Sequence, residues 1–285
     1  NLPLSEVLIE VAVQGCKELV LYNNIGQLTA AAPFNPFGPI PAIGSYFIVG
    51  SAEAACKRLT SFDIDIEWGG LPAVRGGFET YYQGYEDVAD GDEVVATASV
   101  LNGGKWMPGD SAQQPTVTLF DTWDDERDID GISAHRTLSA NRIIHYYKPI
   151  ERLPAGQVFT YTPASKNGFF KFTLSGPPFV FGHKDYPQVL AQALTFNSKQ
   201  KLPALQKTVP NPPYTPLVNA ISLNYTAFSS IRLEHGGAAA DREAEKFIHL
   251  HPLGWEAQGD AADANVLLIP QYDYAGNLYI GFDAS

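Results

Sequence analysis

The chain holds 285 residues, 45% of them hydrophobic, enough for a sizeable core in one large domain or two ordinary ones. Its formal charge of −12 lacks the Lys/Arg excess that grips a phosphate backbone or an anionic lipid surface. Charged residues are sparse at 18% while aromatics reach 12%, and with 25 Gly and 21 Pro the mixture favours strands joined by many turns over a helical bundle.

The chain opens on Leu8-Ile9-Glu10-Val11-Ala12-Val13, a strand-like run, and 18–22 is a second, ended by a turn at Asn23-Asn24. Pro33, Pro36, Pro39 and Pro41 then forbid both helix and ladder over 33–41, which predicts a rigid extended connector anchored by Phe34 and Phe37. Residues 46–50 read as a short strand and 52–59 as a single helical turn. In 62–68, Phe62, Ile64, Ile66 and Trp68 alternate with Asp63, Asp65 and Glu67, the pattern of a half-buried strand with a wet acidic face. Further short strands are expected at 78–85, 93–100, 116–120, 142–147, 158–161 and 169–174. On such strands the pairs Tyr81-Tyr82 and Tyr146-Tyr147 would each turn one ring outward.

One helix stands out over 185–197, with Asp185 as cap or first-turn acid, Pro187 in the first turn, and Val189, Leu190, Ala193, Leu194 and Phe196 at helical spacing. Five prolines over 202–216 read as a linker, after which 220–225 and 247–250 resume strand patterning. The expected fold is therefore mainly β: two β-sandwich-like modules with one principal helix, the first at 1–209 and the second beginning at 210–285. A Pro-x-Gly corner followed by a Gly-x-aromatic strand occurs at Pro36-Phe37-Gly38 with 44–50, and again at Pro252-Leu253-Gly254 with 276–281. On that reading the second module is cut short at Ser285. Met107 is the only methionine, so Asn1 is expected to be an internal residue of a longer chain or a product of processing. No apolar stretch reaches the ~18 residues of a membrane span, and no signal peptide opens the chain. Cys16 and Cys56 sit beside strand-like runs and are expected to be reduced core residues.

The residues that could carry chemistry form no complete constellation. His249 and His251 share a strand face as metal ligands could, with only His235 near in sequence as a third. The stretch 121–130 holds six acids against one Arg, and Glu126, Asp128 and Asp130 mimic the front of a calcium loop, but Thr137 stands where its closing Glu should. Glu234-His235-Gly236-Gly237 resembles an esterase oxyanion loop without a Gly-x-Ser-x-Gly elbow anywhere. Asp63, Asp65 and Glu67 could hydrolyse sugars only if two carboxylates faced each other across a cleft. Expected catalytic, cofactor and metal residues are accordingly none.

Several segments taken together resemble the baseplate J-like wedge proteins of contractile tails, most closely the large wedge proteins of extracellular injection systems. They are Phe37-Gly38-Pro39-x-Pro41-x-x-Gly44-Ser45-x-Phe47, Ile64-x-Ile66-x-Trp68-x-x-Leu71-Pro72 and Phe181-Gly182-His183-x-x-Tyr186-Pro187. Pro210-Asn211-Pro212-Pro213-Tyr214-Thr215-Pro216 with 223–227, His251-Pro252-Leu253-Gly254, and Leu268-x-Pro270-x-Tyr272 with 278–281 complete the set. The resemblance implies a structural component of a phage-tail-like particle assembled in the bacterial cytoplasm, the particle itself being released in some systems. It further implies sixfold rings whose wedges contact neighbouring wedges, the hub or spike and the sheath initiator, with no nucleic acid, membrane insertion or catalytic residues. The alternative from another class is a secreted carbohydrate-binding or adhesive β-sandwich, marked by exposed aromatics in a groove or a bound calcium.

Overall fold

The structure, a computed structural model, describes residues 6–85, 94–109, 114–124, 129–150, 158–232, 248–251, 254–257 and 280–281. In chain order the elements are β1 (Glu6–Cys16), β2 (Val20–Asn23), β3 (Gln27–Leu28), β4 (Tyr46–Gly50), α1 (Ala52–Ala55), β5 (Arg58–Gly69), α2 (Gly77–Tyr81), β6 (Val95–Asn102), β7 (Lys105–Met107) and β8 (Thr116–Thr118). There follow β9 (Thr122–Asp124), β10 (Ile129–Ile132), β11 (His135–Ser139), a 3-10 turn (Asn141–Tyr146), β12 (Phe169–Gly176), a second 3-10 turn (Val180–Gly182), α3 (Tyr186–Ser198) and a third (Pro203–Leu205). The series ends with β13 (Leu217–Arg232), β14 (Ile248–His251), β15 (Gly254–Ala257) and β16 (Ile280–Gly281). The protein is mainly β and sandwich-like, with 39% strand against 17% helix.

The chain separates into two compact units, residues 12–227 and residues 1–11 with 228–285. The stretch 210–227, which the proline count places at the start of a second module, packs in the larger unit. In the smaller unit β14 lies between β15 and β16, with His249 opposite Glu256 and Ile280.

Two sheets make the larger unit. One has the order β1-β13-β5-β11, the other β3-β2-β4-β12-β6-β7, with β8 also paired to β6. The alternation in β5 works as its spacing predicts: Phe62, Ile64, Ile66 and Trp68 are buried and the acids between them are half-buried. These four side chains meet Phe47, Val49, Phe170, Phe172 and Leu174 of the facing sheet in one apolar core. Phe62 stacks on Phe170 at 3.8 Å between ring centroids. Each fully buried side chain of this size contributes about 1.5–3 kcal/mol, so this layer is the main stabilising term.

The larger sheet is covered on its other face as well. Ile48, Leu101 and Phe169 point there, and Phe159 lies flat on Phe169 at 4.6 Å. Gly50 makes room for that stack, since a Cβ there would come within 2.5 Å of the Phe169 ring. Residues 158–161, expected as a strand, therefore form an irregular plug whose aromatics supply burial without a ladder.

Two other expected strands are helical turns. Segment 78–85 contains α2 because Phe78 and Tyr82 lie four residues apart and present one face to the core. Segment 142–147 is the first 3-10 turn; the Asn141 side chain starts it by accepting the Phe62 N–H at 2.8 Å, and only Ile143 within it is buried. The Tyr pairs thus do not sit on strands: Tyr82 is buried and Tyr147 stacks parallel to Phe170.

The principal helix is found as α3, but it rides on the surface. Ala193 is its only buried residue, Val189 and Leu190 are half-buried, and Leu194 is 52% exposed. Neither cysteine is in the core: Cys16 is half-buried, Cys56 is exposed, and both are free thiols.

Candidate functional site

The proline-rich motifs converge on one end of the sandwich. Phe78, Tyr82, Phe120, Phe181 and Tyr214 form a hub of ring contacts with centroids 5.3–6.3 Å apart, and Trp68 joins through Phe120 at 4.9 Å. Trp68 Nε1 donates to the Leu119 carbonyl at 2.9 Å. Residues 210–216 cross this hub as an extended strap. Proline supplies no N–H, so the strap's carbonyls need donors from elsewhere. Tyr81 donates to the Pro212 carbonyl at 2.9 Å and Tyr85 to that of Asn211. The Tyr214 N–H donates to the Tyr82 hydroxyl and the Tyr214 hydroxyl to the Gly69 carbonyl, both at 2.9 Å. Burial pushes the Tyr82 and Tyr214 hydroxyls up, so both stay neutral.

The second feature is a groove on the outer face of the four-stranded sheet. Register sets Thr137 opposite Asp65 and His135 opposite Glu67. The row through Asp65 is closed by its own hydrogen bonds. Thr137 Oγ1 donates to Asp65 Oδ1 at 2.6 Å, Asn224 Nδ2 to Asp65 Oδ2 at 2.5 Å, and the Gly15 N–H to Asn224 Oδ1 at 2.8 Å. Asp63 accepts from Asn141 Nδ2 at 3.0 Å. Beside it Lys17, Ser222, Glu67 and His135 line an open groove of about 420 Å³. Among the described residues these four side chains take no hydrogen bond or ion pair.

That order decides what the groove can do. With β5 between β13 and β11, Ser222 and His135 stand two strands apart, roughly 9–10 Å, so the imidazole is not placed to activate the hydroxyl. Asp65 and Glu67 stand on one strand rather than across a cleft, and Asp65 already holds a donor on each oxygen. What the groove offers is charge and hydrogen-bonding groups.

A third cluster joins α1 to the opposite sheet. Tyr225 donates to Glu53 Oε1 at 2.5 Å, Cys16 Sγ approaches Glu53 Oε2 at 3.6 Å, and Lys57 Nζ lies 3.7 Å from Glu53. The Tyr225 hydroxyl, with help from Lys57, holds the Glu53 carboxyl below its ordinary value. Burial, and the Glu53 carboxylate itself, push the Tyr225 hydroxyl up.

The other sequence-predicted residues fall as follows. Asp63, Asp65 and Glu67 come together on β5 as their spacing requires. Asp121 pairs with Arg136 at 3.2 Å, and the acidic stretch after it belongs to the β9–β10 ribbon, with 125–128 outside the described residues. His249 and His251 lie on β14, their side chains outside the described residues, as are Glu234, His235, Gly236 and Gly237. Among the described residues no group of three or more His, Cys, Asp or Glu side chains could hold a metal ion. Sequence reasoning missed Lys17, His135, Glu53 and His183. The alternation His135-x-Thr137-x-Ser139 carried a signal for the first pair of rows; Glu53 and His183 are placed by tertiary contacts alone.

Hub and groove define a mainly-β, sandwich-like protein with a pinned proline strap and a polar sheet face. Compared with known proteins, the chain matches no family model and no curated sequence. No helix among the described residues is long and apolar enough to cross a membrane.

Proposed function

We propose that this chain is part of a structural baseplate wedge of a contractile injection system, working through contacts with neighbouring wedge, hub and sheath-initiating proteins. The observation that carries this reading is the hub. Trp68, Phe181 and Tyr214 come from three of the motif segments that resemble wedge proteins, and all three serve one architectural purpose, locking the strap to the sandwich. Such motifs build a rigid part, and rigidity is what a ring subunit requires. Exposed apolar side chains add support: Ile40 is 67% exposed, Leu202 61% and Leu205 57%, and contacts with neighbours in an assembly would cover them. Of the pairs Tyr81-Tyr82 and Tyr146-Tyr147, Tyr81 gives its hydroxyl to the strap instead.

The test is deletion of the coding region in the producing bacterium, followed by electron microscopy of the particles. Loss of assembled contractile particles is the expected result. Normal particles that still contract would overturn the reading and leave the adhesive or carbohydrate-binding alternative, for which the groove at Glu67 and His135 would be the place to look.

A further inference from the structure

The two sheets of the larger unit leave a seam between their edge strands β8 and β11. Among the described residues β8 pairs only with β6 and β11 only with β5, so no ladder closes the gap. One side chain bridges it: Arg136 Nε donates to the Thr118 carbonyl at 3.0 Å, while its Nη1 lies 3.2 Å from Asp121 Oδ2. A pocket of about 250 Å³ opens in this seam. Its floor is apolar, since Ala98, Ala140 and Ile143 line it and each is 1% exposed.

The rim carries accessible donors. Arg142 and Thr116 are exposed, and neither the Arg142 guanidinium nor the Thr116 and Thr118 hydroxyls take a hydrogen bond or ion pair among the described residues. Ser139 Oγ accepts the Asn141 N–H at 3.4 Å, so its own proton is free to be donated. Thr137, also in the lining, is spent on Asp65. No carboxylate of the described residues lines the pocket. Of the acids nearby, Asp63 stands opposite Ser139 and takes the Asn141 amide, and Asp121 is paired with Arg136. In a chain of net charge −12, a pocket with two guanidiniums, free hydroxyls and no carboxylate is an exception that fits an anion.

We propose that this pocket receives an acidic side chain of a partner polypeptide, its carboxylate held by Arg142, Thr116 and Ser139 and its methylene stem resting on Ala98, Ala140 and Ile143. A guanidinium offers a carboxylate two parallel N–H donors, and the hydroxyls serve the remaining lone pairs. The apolar floor takes the stem out of water. A free sulfate or phosphate would meet the same donors but has no stem for that floor. This assignment rests on the reading that the protein works through protein contacts, and it identifies one of those contacts chemically.

The experiment uses the whole 285-residue chain, with N-acetyl-glutamate N-methylamide as probe and its glutamine counterpart as the same shape without the charge. Binding is followed by the Ile143 methyl signal and the 15N signal of Arg142 Nε. The expected result is saturable binding of the glutamate probe that moves both signals, with the glutamine probe weaker by roughly tenfold, the factor one charge-assisted hydrogen bond supplies. In Arg142→Gln, at an exposed position where folding is safe, the two probes should bind alike. Thr116→Val, also at an exposed position, should weaken the glutamate probe several-fold. Unmoved Ile143 and Arg142 signals, or equal binding of the two probes to the parent chain, would overturn the proposal. Sulfate or glutarate binding more tightly than the glutamate probe would also overturn it, by marking a site for a free anion. Loss of particles on deletion without binding of the glutamate probe sinks the pocket and leaves the wedge reading standing; binding of that probe with normal particles does the reverse.

Discussion

The two halves of the proline-rich segment behave oppositely. Residues 201–209 are all exposed, with Leu202, Leu205 and Val209 each about half or more open to solvent. In 210–216, Pro210, Tyr214 and Pro216 are buried. Both halves contain proline and apolar residues, so composition does not separate them. The difference lies in the partners. The second half crosses α2 and the turn that follows it, where the Tyr81, Tyr82 and Tyr85 hydroxyls meet its carbonyls and N–H. Among the described residues the first half is tied to the rest by hydrogen bonds only at Lys207, whose backbone N–H and carbonyl meet the Asn197 side chain at 2.7 and 2.9 Å. An extended backbone is buried where donors for its carbonyls are waiting, and left outside where they are not.

The sharpest way to break this contrast is at Tyr214. Tyr214→Ala empties the hub and unties the strap, and should cost about 3–5 kcal/mol in denaturant unfolding, as for other buried aromatics. Tyr214→Phe keeps the ring and strands the Gly69 carbonyl, with an expected cost of about 1–2 kcal/mol. Leu190→Ala on α3 should cost about 1 kcal/mol, less than for a core leucine, because that face is half-buried. Leu205→Ser in the exposed half should change stability by less than about 0.5 kcal/mol in the isolated protein. A loss above 2 kcal/mol there would show that the first half is held as firmly as the second.

A pH measurement sharpens the comparison from outside the strap. The folded Glu53 carboxyl sits below its ordinary value of 4.5, so it stabilises the fold above that value and loses the contribution as pH falls through the lowered one. Tyr225→Phe removes the largest cause. The gap between variant and parent should be present at neutral pH and close in the acid limb of a thermal-melt series. A gap unchanged down to pH 3 would deny the link.

The sequence made part of this legible. The alternation in 62–68 placed β5 and its faces, and Pro187 with helical spacing placed α3 to within a residue. Short strands at 46–50 and 169–174 were also readable, because branched and aromatic residues run uninterrupted between glycines. In segment 78–85 composition and spacing disagree: Phe and Tyr favour strands, but Phe78, Tyr81, Tyr82 and Tyr85 fall at i, i+3, i+4 and i+7, the helical spacing that the packing against Phe120 and Tyr214 follows. The two acids of the groove, Asp65 and Glu67, could be read from β5, whereas Lys17, Ser222 and His135 reach it from segments far apart in sequence, a meeting that strand order alone decides. Helical spacing on α3 suggested burial that no sheet provides, so Leu194 and Phe196 stay outside.

The claim that the strap is a fixed part of the sandwich while the preceding half is uncovered is tested most directly by backbone hydrogen exchange. The Tyr214 and Val218 amides, donating to the Tyr82 hydroxyl and the Phe34 carbonyl, should be protected by several orders of magnitude. Amides over 201–209, apart from Lys207 and the Leu205 and Gln206 amides of the Pro203–Leu205 turn, should exchange close to the rate of an unfolded chain. Equal, rapid exchange across 201–216 would contradict the account, because the hub would then be holding nothing in place.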